Sequence, residues 1–398
     1  MNLMLLSQVL PLFGLLLALA TLPLLAELLV LTGAALLPAA RMRIQDAGTE
    51  AFPLAVLIPA HNEEALIGRC IRSVQAAADS STEVLVVAHN CTDATTVEAE
   101  AAGARVLLLS DPGQAGKGCA LRYGFAAALA GPSQAVLVID ADSVVCAGLI
   151  AAVRQKFLRG AQALQCRYEV NNPQQSERTK LMTLAFQAFN VIRPRGRERL
   201  GLSAGILGNG FALHRETLAR IPYGADSVVE DLEYHLTLVR AGIRVEFIDT
   251  AAVRGEMPVS DQGARTQRAR WEGGRQRMMR RWVPRLMADL LHGRVRVVEP
   301  LLDLLTLPIA TGAILLLVAA CLPIAWLRLY ALAGFLVLIA HISVAATCGS
   351  SFWGTLRILA NAPAYIFWKL WLIPEIWRTS RANSPWMRTE RDTPADGQ

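Results

Sequence analysis

The sequence predicts an α/β domain with a mostly parallel sheet, flanked by transmembrane and interfacial helices. Three observations carry that prediction. The 398 residues are 53% hydrophobic and 18% charged, against about 25% charged in ordinary soluble domains, which excludes disorder and a wholly soluble chain. Long apolar runs lie near both ends. Between them, short aliphatic or β-branched runs alternate with Ala-rich helical stretches, the rhythm of βαβ units.

Met1 to Ala40 carries one charge, Glu27, and is longer than a bilayer crossing needs, so one spanning helix over about residues 8–34 is expected within a segment 1–41. No Lys or Arg precedes the apolar run, which argues against a cleaved signal peptide, and Arg41 and Arg43 follow it, which places the next domain, 42–275, in the cytoplasm. Leu304 to Trp326 and Leu329 to Leu356 lack Asp, Glu, Lys and Arg and are each long enough to cross, giving spans at 304–326 and 329–352. The next apolar stretch, Ile358 to Ile376, is interrupted by Pro363, Lys369, Pro374 and Glu375. Trp353, Trp368, Trp371, Trp377 and Trp386 crowd around it. It reads as an interfacial helix over 353–378, with a third span as the alternative, because two crossings return the Arg-bearing polar tail 379–398 to the cytoplasmic side. Ten arginines from Arg265 to Arg296 make 276–303 a basic segment suited to anionic headgroups or a phosphorylated ligand, or simply a solvated basic helix.

The net charge of +6, with no basic patch interleaved with aromatics, excludes nucleic acid as a partner. Seven scattered cysteines without a CxxC pair fit a reducing compartment rather than a disulfide framework or zinc knuckle.

In the central domain, Leu54 to Ile58, Val84 to Val87, Arg105 to Leu109 and Val136 to Ile139 are strand candidates. The helical stretches between them are Glu64 to Ala78, Ala94 to Ala102 and Cys119 to Ala130. A parallel sheet binds ligands beyond the carboxyl ends of its strands, and polar groups collect there. Pro59-Ala60-His61-Asn62-Glu63-Glu64 follows the first strand, His89-Asn90-Cys91-Thr92-Asp93 the second, and Asp140-Ala141-Asp142 the fourth.

Asp140 and Asp142, two apart in extended geometry, project to the same side and suit Mg2+ or Mn2+, although a turn or helix cap uses the same residues. Gly113 to Gly118, containing Lys117, is either a phosphate-approaching loop or a flexible turn, and its spacing is not that of a P-loop. Glu230 and Asp231 precede the amphipathic stretch Leu232 to Val239, where acids favour a helix N-terminus and where a carboxylate could equally act as general base. Gln267, Arg270 and Trp271 share a helix face offering an amide, a guanidinium and a flat apolar surface.

In this order the motifs resemble the membrane-bound synthases of glycosyltransferase family 2, the group of cellulose, hyaluronan, chitin-oligosaccharide and poly-N-acetylglucosamine synthases. The resemblance runs from about Pro53 to Trp271. It implies a GT-A type, Rossmann-like nucleotide-sugar domain and an inverting, single-displacement transfer from a UDP-sugar. Carried onto this chain, Pro59, His61, Asn62 and Glu63 match the first nucleotide-binding strand end, Asp93 the residue holding uracil or ribose, and Lys117 the Gly-Lys-Gly position beside the nucleotide. Asp140 and Asp142 match the metal-binding pair. Asp231 matches the base of the Thr-Glu-Asp motif, with Val229 in place of Thr. Gln267, Arg270 and Trp271 match Gln-x-x-Arg-Trp, and Gly208, Asn209 and Glu230 fall beside the acceptor. The tail Trp386 to Arg391 is similar to those of bacterial synthases in the group.

Cellulose and hyaluronan synthases have more spanning helices, and the cellulose-type gating motif is missing here. The resemblance therefore implies a glycan or lipid-linked acceptor in the bacterial inner membrane, with other polysaccharide synthesis or export proteins as further partners. Ceramide, hopanoid or polyprenyl-phosphate glycosylation is the alternative, and a non-catalytic scaffold of a membrane assembly is the rival class.

Overall fold

The computed structural model describes residues 3–39, 52–111, 113, 116–348 and 371–380. Helix α1 (Leu3–Ala35) leads into β1 (Leu54–Ala60), α2 (Ile67–Ala77), β2 (Thr82–His89), α3 (Thr95–Ala101), β3 (Arg105–Leu109), α4 (Lys117–Ala130) and β4 (Ala135–Val138). The chain continues through β5 (Val144–Val145), α5 (Leu149–Leu158), β6 (Ala163–Val170), α6 (Glu177–Gln187), a π-helical turn (Ala188–Ile192) and α7 (Arg193–Arg199). Then come β7 (Phe211–His214), α8 (Arg215–Arg220), α9 (Glu230–Arg240), β8 (Val245–Gly255) and the long α10 (Asp261–Leu291). Helices α11 (Val298–Leu305), α12 (Ile309–Cys321), α13 (Ala325–Ala346) and α14 (Ile373–Thr379) follow.

The eight strands form one sheet in the order β3-β2-β1-β4-β7-β6-β8-β5. The half read from the sequence, β3-β2-β1-β4, is wholly parallel. Strands β1 and β4 are continuous aliphatic runs because both faces are covered, Leu54 through Ile58 being fully buried, whereas edge strand β3 leaves Arg105 and Leu108 exposed. The other half is mixed, so four of the seven strand pairings are parallel and the sheet is mostly parallel, as the sequence predicts. Strand β7 runs antiparallel to β4 and β6, and β5 antiparallel to β8, while β6 and β8 are parallel with a register shift after Cys166. One core lies on each face of the sheet, one around Ile67, Ile71 and Phe157 and the other around Leu121, Phe211 and Tyr234.

Outside this domain, α1, α12 and α13 pack on one another through Leu24, Leu28, Leu316 and Leu327 and expose Leu12, Leu16, Leu19, Leu332 and Leu336 outward. By length and composition, Val9–Ala35 and Ala325–Ala346 are long and apolar enough to cross a membrane. The uninterrupted span expected at Leu304 to Trp326 is instead broken. Segments Val295–Leu305 and Ile309–Cys321 meet at 71°, because Pro308 cannot donate the backbone bond that would continue the helix. At about 1.5 Å per residue α12 is about 20 Å long, short of a ~30 Å hydrocarbon core.

Two further boundaries differ. Helix α10 runs through 275/276, so the basic segment begins inside a continuous helix. Among the ten arginines between Arg265 and Arg296, Arg275 pairs with Asp303, Arg281 with Glu233 and Arg294 with Asp289. Of the interfacial stretch 353–378, only residues 371–378 lie among those described, in and just before α14. That helix packs against α10, where Thr379 donates to the Ala269 carbonyl at 2.8 Å. The tail motif Trp386 to Arg391 lies outside the described residues.

Candidate active site

Strands β1 and β2 end in asparagines, Asn62 and Asn90, that take positive φ (56° and 50°), a conformation Asn tolerates better than most residues. These turns bring the two loops together. His61 Nδ1 donates to the His89 carbonyl at 2.8 Å, and Thr92 N donates to Asn62 Oδ1 at 2.7 Å. Pro59, His61 and Glu63 thereby line a cavity of about 1810 Å³, joined by His89 and Asn90, which the motif reading passed over.

Asp93 does not join them. Its Oδ1 accepts from Thr95 N and Oγ1 at 3.0 and 2.5 Å, and its Oδ2 from Glu64 N at 3.2 Å. Burial would raise this carboxyl, but those hydrogen bonds outweigh it and hold it below its ordinary value. It ties the loop to the start of α3 and is not among the residues lining the cavity. Asn62 likewise acts on the neighbouring loop and lies outside the cavity wall.

At the end of β4, Asp140 and Asp142 both face the cavity. Asn209, fully buried, stands beneath them rather than beside an acceptor. Its Oδ1 accepts from Asp140 N at 3.1 Å and its Nδ2 donates to Ser143 Oγ at 2.8 Å, while Ser143 Oγ donates to Asp142 Oδ1 at 3.1 Å. Lys117, the first residue of α4, reaches across to contact Asp140 Oδ1 and the Gly208 carbonyl, the latter at 2.5 Å. Burial alone would lower Lys117, but the carboxylates of Asp140, Glu230 and Asp231 outweigh it and keep the ammonium firmly charged. Of the loop preceding it, Gln114 and Ala115 lie outside the described residues.

Helix α9 begins at Glu230, so Asp231 sits in its first turn, with Oδ1 accepting from Leu232 N at 2.8 Å. Gly208 must be glycine here. Its φ is +80°, and a Cβ would lie 3.1 Å from Asp231 Oδ2. Burial, reinforced by the Asp231 charge, pushes Glu230 up to about 7, and burial also raises Asp231. From α10, Gln267, Arg270 and Trp271 line the same cavity. Gln267 Oε1 is buried there without a hydrogen-bond partner among the described residues, and Trp271 packs 6.0 Å from Phe186. Arg69 donates to Glu256 Oε1 at 2.7 Å beside the Asp142 backbone, a pair that no sequence pattern signalled.

Asp142, Asp231 and Arg270, far apart in the chain, thus open onto one chamber. Its wall carries ten carboxylates and eight lysine or arginine side chains. Among the described residues no three His, Cys, Asp or Glu side chains are grouped to cage a metal unaided. An ion at Asp140 and Asp142 would have to share its remaining coordination with substrate and water oxygens, which is how Mg2+ and Mn2+ sit on diphosphates.

A structure of the mannosyltransferase PcManGT from Pyrobaculum calidifontis in complex with GDP-Man and Mn2+ is similar over 92% of this chain and 95% of that one. It has 17% identity and a TM-score of 0.53, a likeness that shows the GT-A fold. Glucosyl-3-phosphoglycerate synthase from Mycobacterium tuberculosis, solved with Mn2+, UDP and phosphoglyceric acid, is 24% identical over 59% of this chain and 84% of its own, with a TM-score of 0.41. The probable glycosyltransferase YdaM of Bacillus subtilis is 25% identical over 236 residues, 56% of this chain; the chain spans about half the length of this curated relative. The family model described as "Glycosyltransferase like family 2" matches residues 52–274, more than half the chain, and the protein belongs to that family of glycosyltransferases.

Proposed function

We propose that the protein is an inverting, membrane-embedded glycosyltransferase that moves a sugar from a UDP-sugar to a glycan or lipid-linked hydroxyl. On this reading it works at the cytoplasmic face of a bacterial inner membrane, in the synthesis of exopolysaccharide or another cell-envelope glycan. One observation carries the reading: Asp140, Asp142, Lys117, Asp231, Gln267, Arg270 and Trp271 share one chamber beyond the strand ends. The membrane placement is supported by α1 and α13, and the orientation by Arg41 and Arg43 after the first apolar run.

Asp142, with Asp140, would hold Mg2+ or Mn2+, which supplies Lewis-acid neutralisation of the departing diphosphate. Lys117 and Arg270 place fixed positive charge where the leaving group's charge grows. Gln267 offers an unpaired amide oxygen to a donor hydroxyl. Asp231, held against the first turn of α9 by Leu232 N, takes the proton of the acceptor hydroxyl as its oxygen attacks the anomeric carbon and the bond to UDP breaks. Glu230, beside it and raised by burial, discourages double ionisation of the pair until the pH is near neutral.

The test is UDP release from a panel of UDP-sugars by the full chain in detergent with Mn2+, together with calorimetric titration of UDP. Asp142→Ala should remove metal-dependent UDP affinity, while Asp231→Asn should retain it and lose turnover. Equal turnover by wild type and Asp231→Asn would refute the base assignment, and no metal-dependent affinity in the wild type would favour the scaffold class.

A further inference from the structure

The chamber is larger than one small ligand needs, since pockets for such ligands run to about 1,000 Å³. Its surplus lies in one direction. Away from the strand ends the lining becomes Leu24 and Leu28 of α1, Leu307, Pro308, Ile309, Ala310 and Ala313 at the break into α12, and Ile342 of α13. These are the helices whose outer faces carry exposed leucines, so the chamber has a polar arm at the sheet and an apolar arm among the membrane helices. The 71° break before α12 forms part of this apolar wall.

Where the arms meet, six charged side chains form a closed set. Arg193 contacts Glu27 and lies 2.6 Å from Asp303. Arg197 lies 2.9 Å from Glu27 and 2.7 Å from Asp303 and also touches Glu299. Arg275 lies 3.2 Å from Asp303, and Thr306 donates to Glu27 Oε2 at 2.5 Å. Three guanidiniums face three carboxyl groups, of which burial raises Glu299 to about 7, so most of the positive charge at the throat is compensated. His235, which follows Asp231 by one turn of α9 and also lines the chamber, is kept neutral by burial and by Arg197.

We infer that the acceptor is a membrane lipid with an uncharged, hydroxyl-bearing headgroup, whose chains occupy the apolar arm between α1, α12 and α13 while its hydroxyl reaches Asp231 past the balanced throat. This rests on the proposed transferase reading and narrows its acceptor. It departs from the expectation that the Arg265 to Arg296 segment recruits a lipid phosphate; at the throat, the member of that segment present, Arg275, is paired with Asp303.

The experiment reconstitutes the full chain in phosphatidylcholine nanodiscs with Mn2+ and photolabels it with a diazirine-bearing diacylglycerol. Unlabelled dioleoylglycerol or undecaprenyl phosphate serves as competitor, and glycolipid formation from a UDP-sugar panel is read by mass spectrometry. Label should map to peptides containing Leu24–Leu28 or Leu307–Ala313 and be displaced by dioleoylglycerol. Ala310→Trp and Ala313→Trp, which fill the arm, should each cut labelling about tenfold or more while leaving Mn2+-dependent UDP affinity within about twofold, which shows that the variants fold. Displacement by undecaprenyl phosphate but not by dioleoylglycerol would overturn the uncharged headgroup. Turnover with a water-soluble glycan, without labelling of the arm, would overturn the lipid acceptor and leave the transferase standing. Absence of metal-dependent UDP affinity in the wild type would instead strike the transferase reading, and the acceptor assignment with it.

Discussion

Replacing Glu230 by Gln should shift the pH dependence of the reaction and, separately, the stability of the fold. Burial and the neighbouring Asp231 charge raise Glu230 from 4.5 to about 7, so the acidic pair retains a proton up to near neutrality. If transfer needs both carboxylates ionised, the competent fraction rises from about a tenth at pH 6 to about nine-tenths at pH 8, and kcat/KM climbs about tenfold over that interval. In Glu230→Gln the limb should move to lower pH, because the group that held the proton is gone. The stability effect has a definite direction. A carboxyl whose folded pKa is raised binds its proton more tightly in the native state, so its contribution is full below 4.5 and is lost as pH rises through about 7. At about 1.36 kcal/mol per pH unit that interval amounts to about 3 kcal/mol, so the variant should unfold at a higher temperature than wild type at about pH 8 and near the same temperature at about pH 4. The assays are UDP release from about pH 5 to about pH 9 and thermal unfolding at the two extremes. A wild-type profile flat between pH 6 and pH 8, or a variant that keeps the limb near pH 7, would refute the reasoning.

Gly196 packs α7 onto α1 so closely that a Cβ would lie 2.3 Å from the Leu31 carbonyl oxygen; Gly196→Ala should cost about 1–3 kcal/mol and lower the unfolding temperature in detergent. Gly124→Val drives a methyl-bearing carbon to 2.3 Å from Leu57 Cδ1 and should destabilise the sheet side by a similar amount, read by denaturant unfolding of the full chain. Glu27→Ala leaves Arg193 and Arg197 sharing fewer carboxylates, and a loss of about 3–5 kcal/mol is expected, measurable as reduced thermal stability. Asn209→Ala removes the amide that holds Asp140 N and Ser143 Oγ, so Mn2+-dependent UDP affinity should weaken about tenfold or more with the fold intact by circular dichroism.

Most strands legible in the sequence are buried on both faces, the exception being β3 at the sheet edge. Leu54 to Ile58 and Val136 to Ile139 have no polar interruption, so their aliphatic runs are visible without knowing their neighbours. Strand β6 was hidden by Gln165, Arg167 and Glu169. Gln165 is fully buried because its amide serves the Cys166 and Asn209 carbonyls and the Leu207 N–H, a requirement set by a loop some forty residues away. The same locality explains the site. Asp140, Asp142, Asp231, Gln267, Arg270 and Trp271 sit in short patterns whose spacing alone puts them on one face, and they do converge. For Asp93 the pattern is ambiguous, because an acid after a strand can face a ligand or cap the next helix, and its hydrogen bonds to Thr95 and Glu64 are set by the fold.

Glu27 shows what single-chain patterning leaves undetermined. Alone in an apolar run, it would be costly in hydrocarbon, and that cost implies a partner without saying which one. Its partners are Arg193 and Arg197, more than 160 residues further on, and Thr306, later still. Arg193 and Arg197 are four apart on α7 and so face the same way, and α7 is held against α1 by the glycine at 196. The buried carboxylate therefore ties α1 to α7 and to the break before α12. It also fixes the charge balance at the mouth of the apolar arm, because the two arginines that neutralise it are the ones that would otherwise attract an anion. A chain that needed a lipid phosphate at this point would gain by leaving those guanidiniums uncompensated. This one surrounds them with Glu27, Glu299 and Asp303, which on the acceptor inference above favours a hydroxyl without charge.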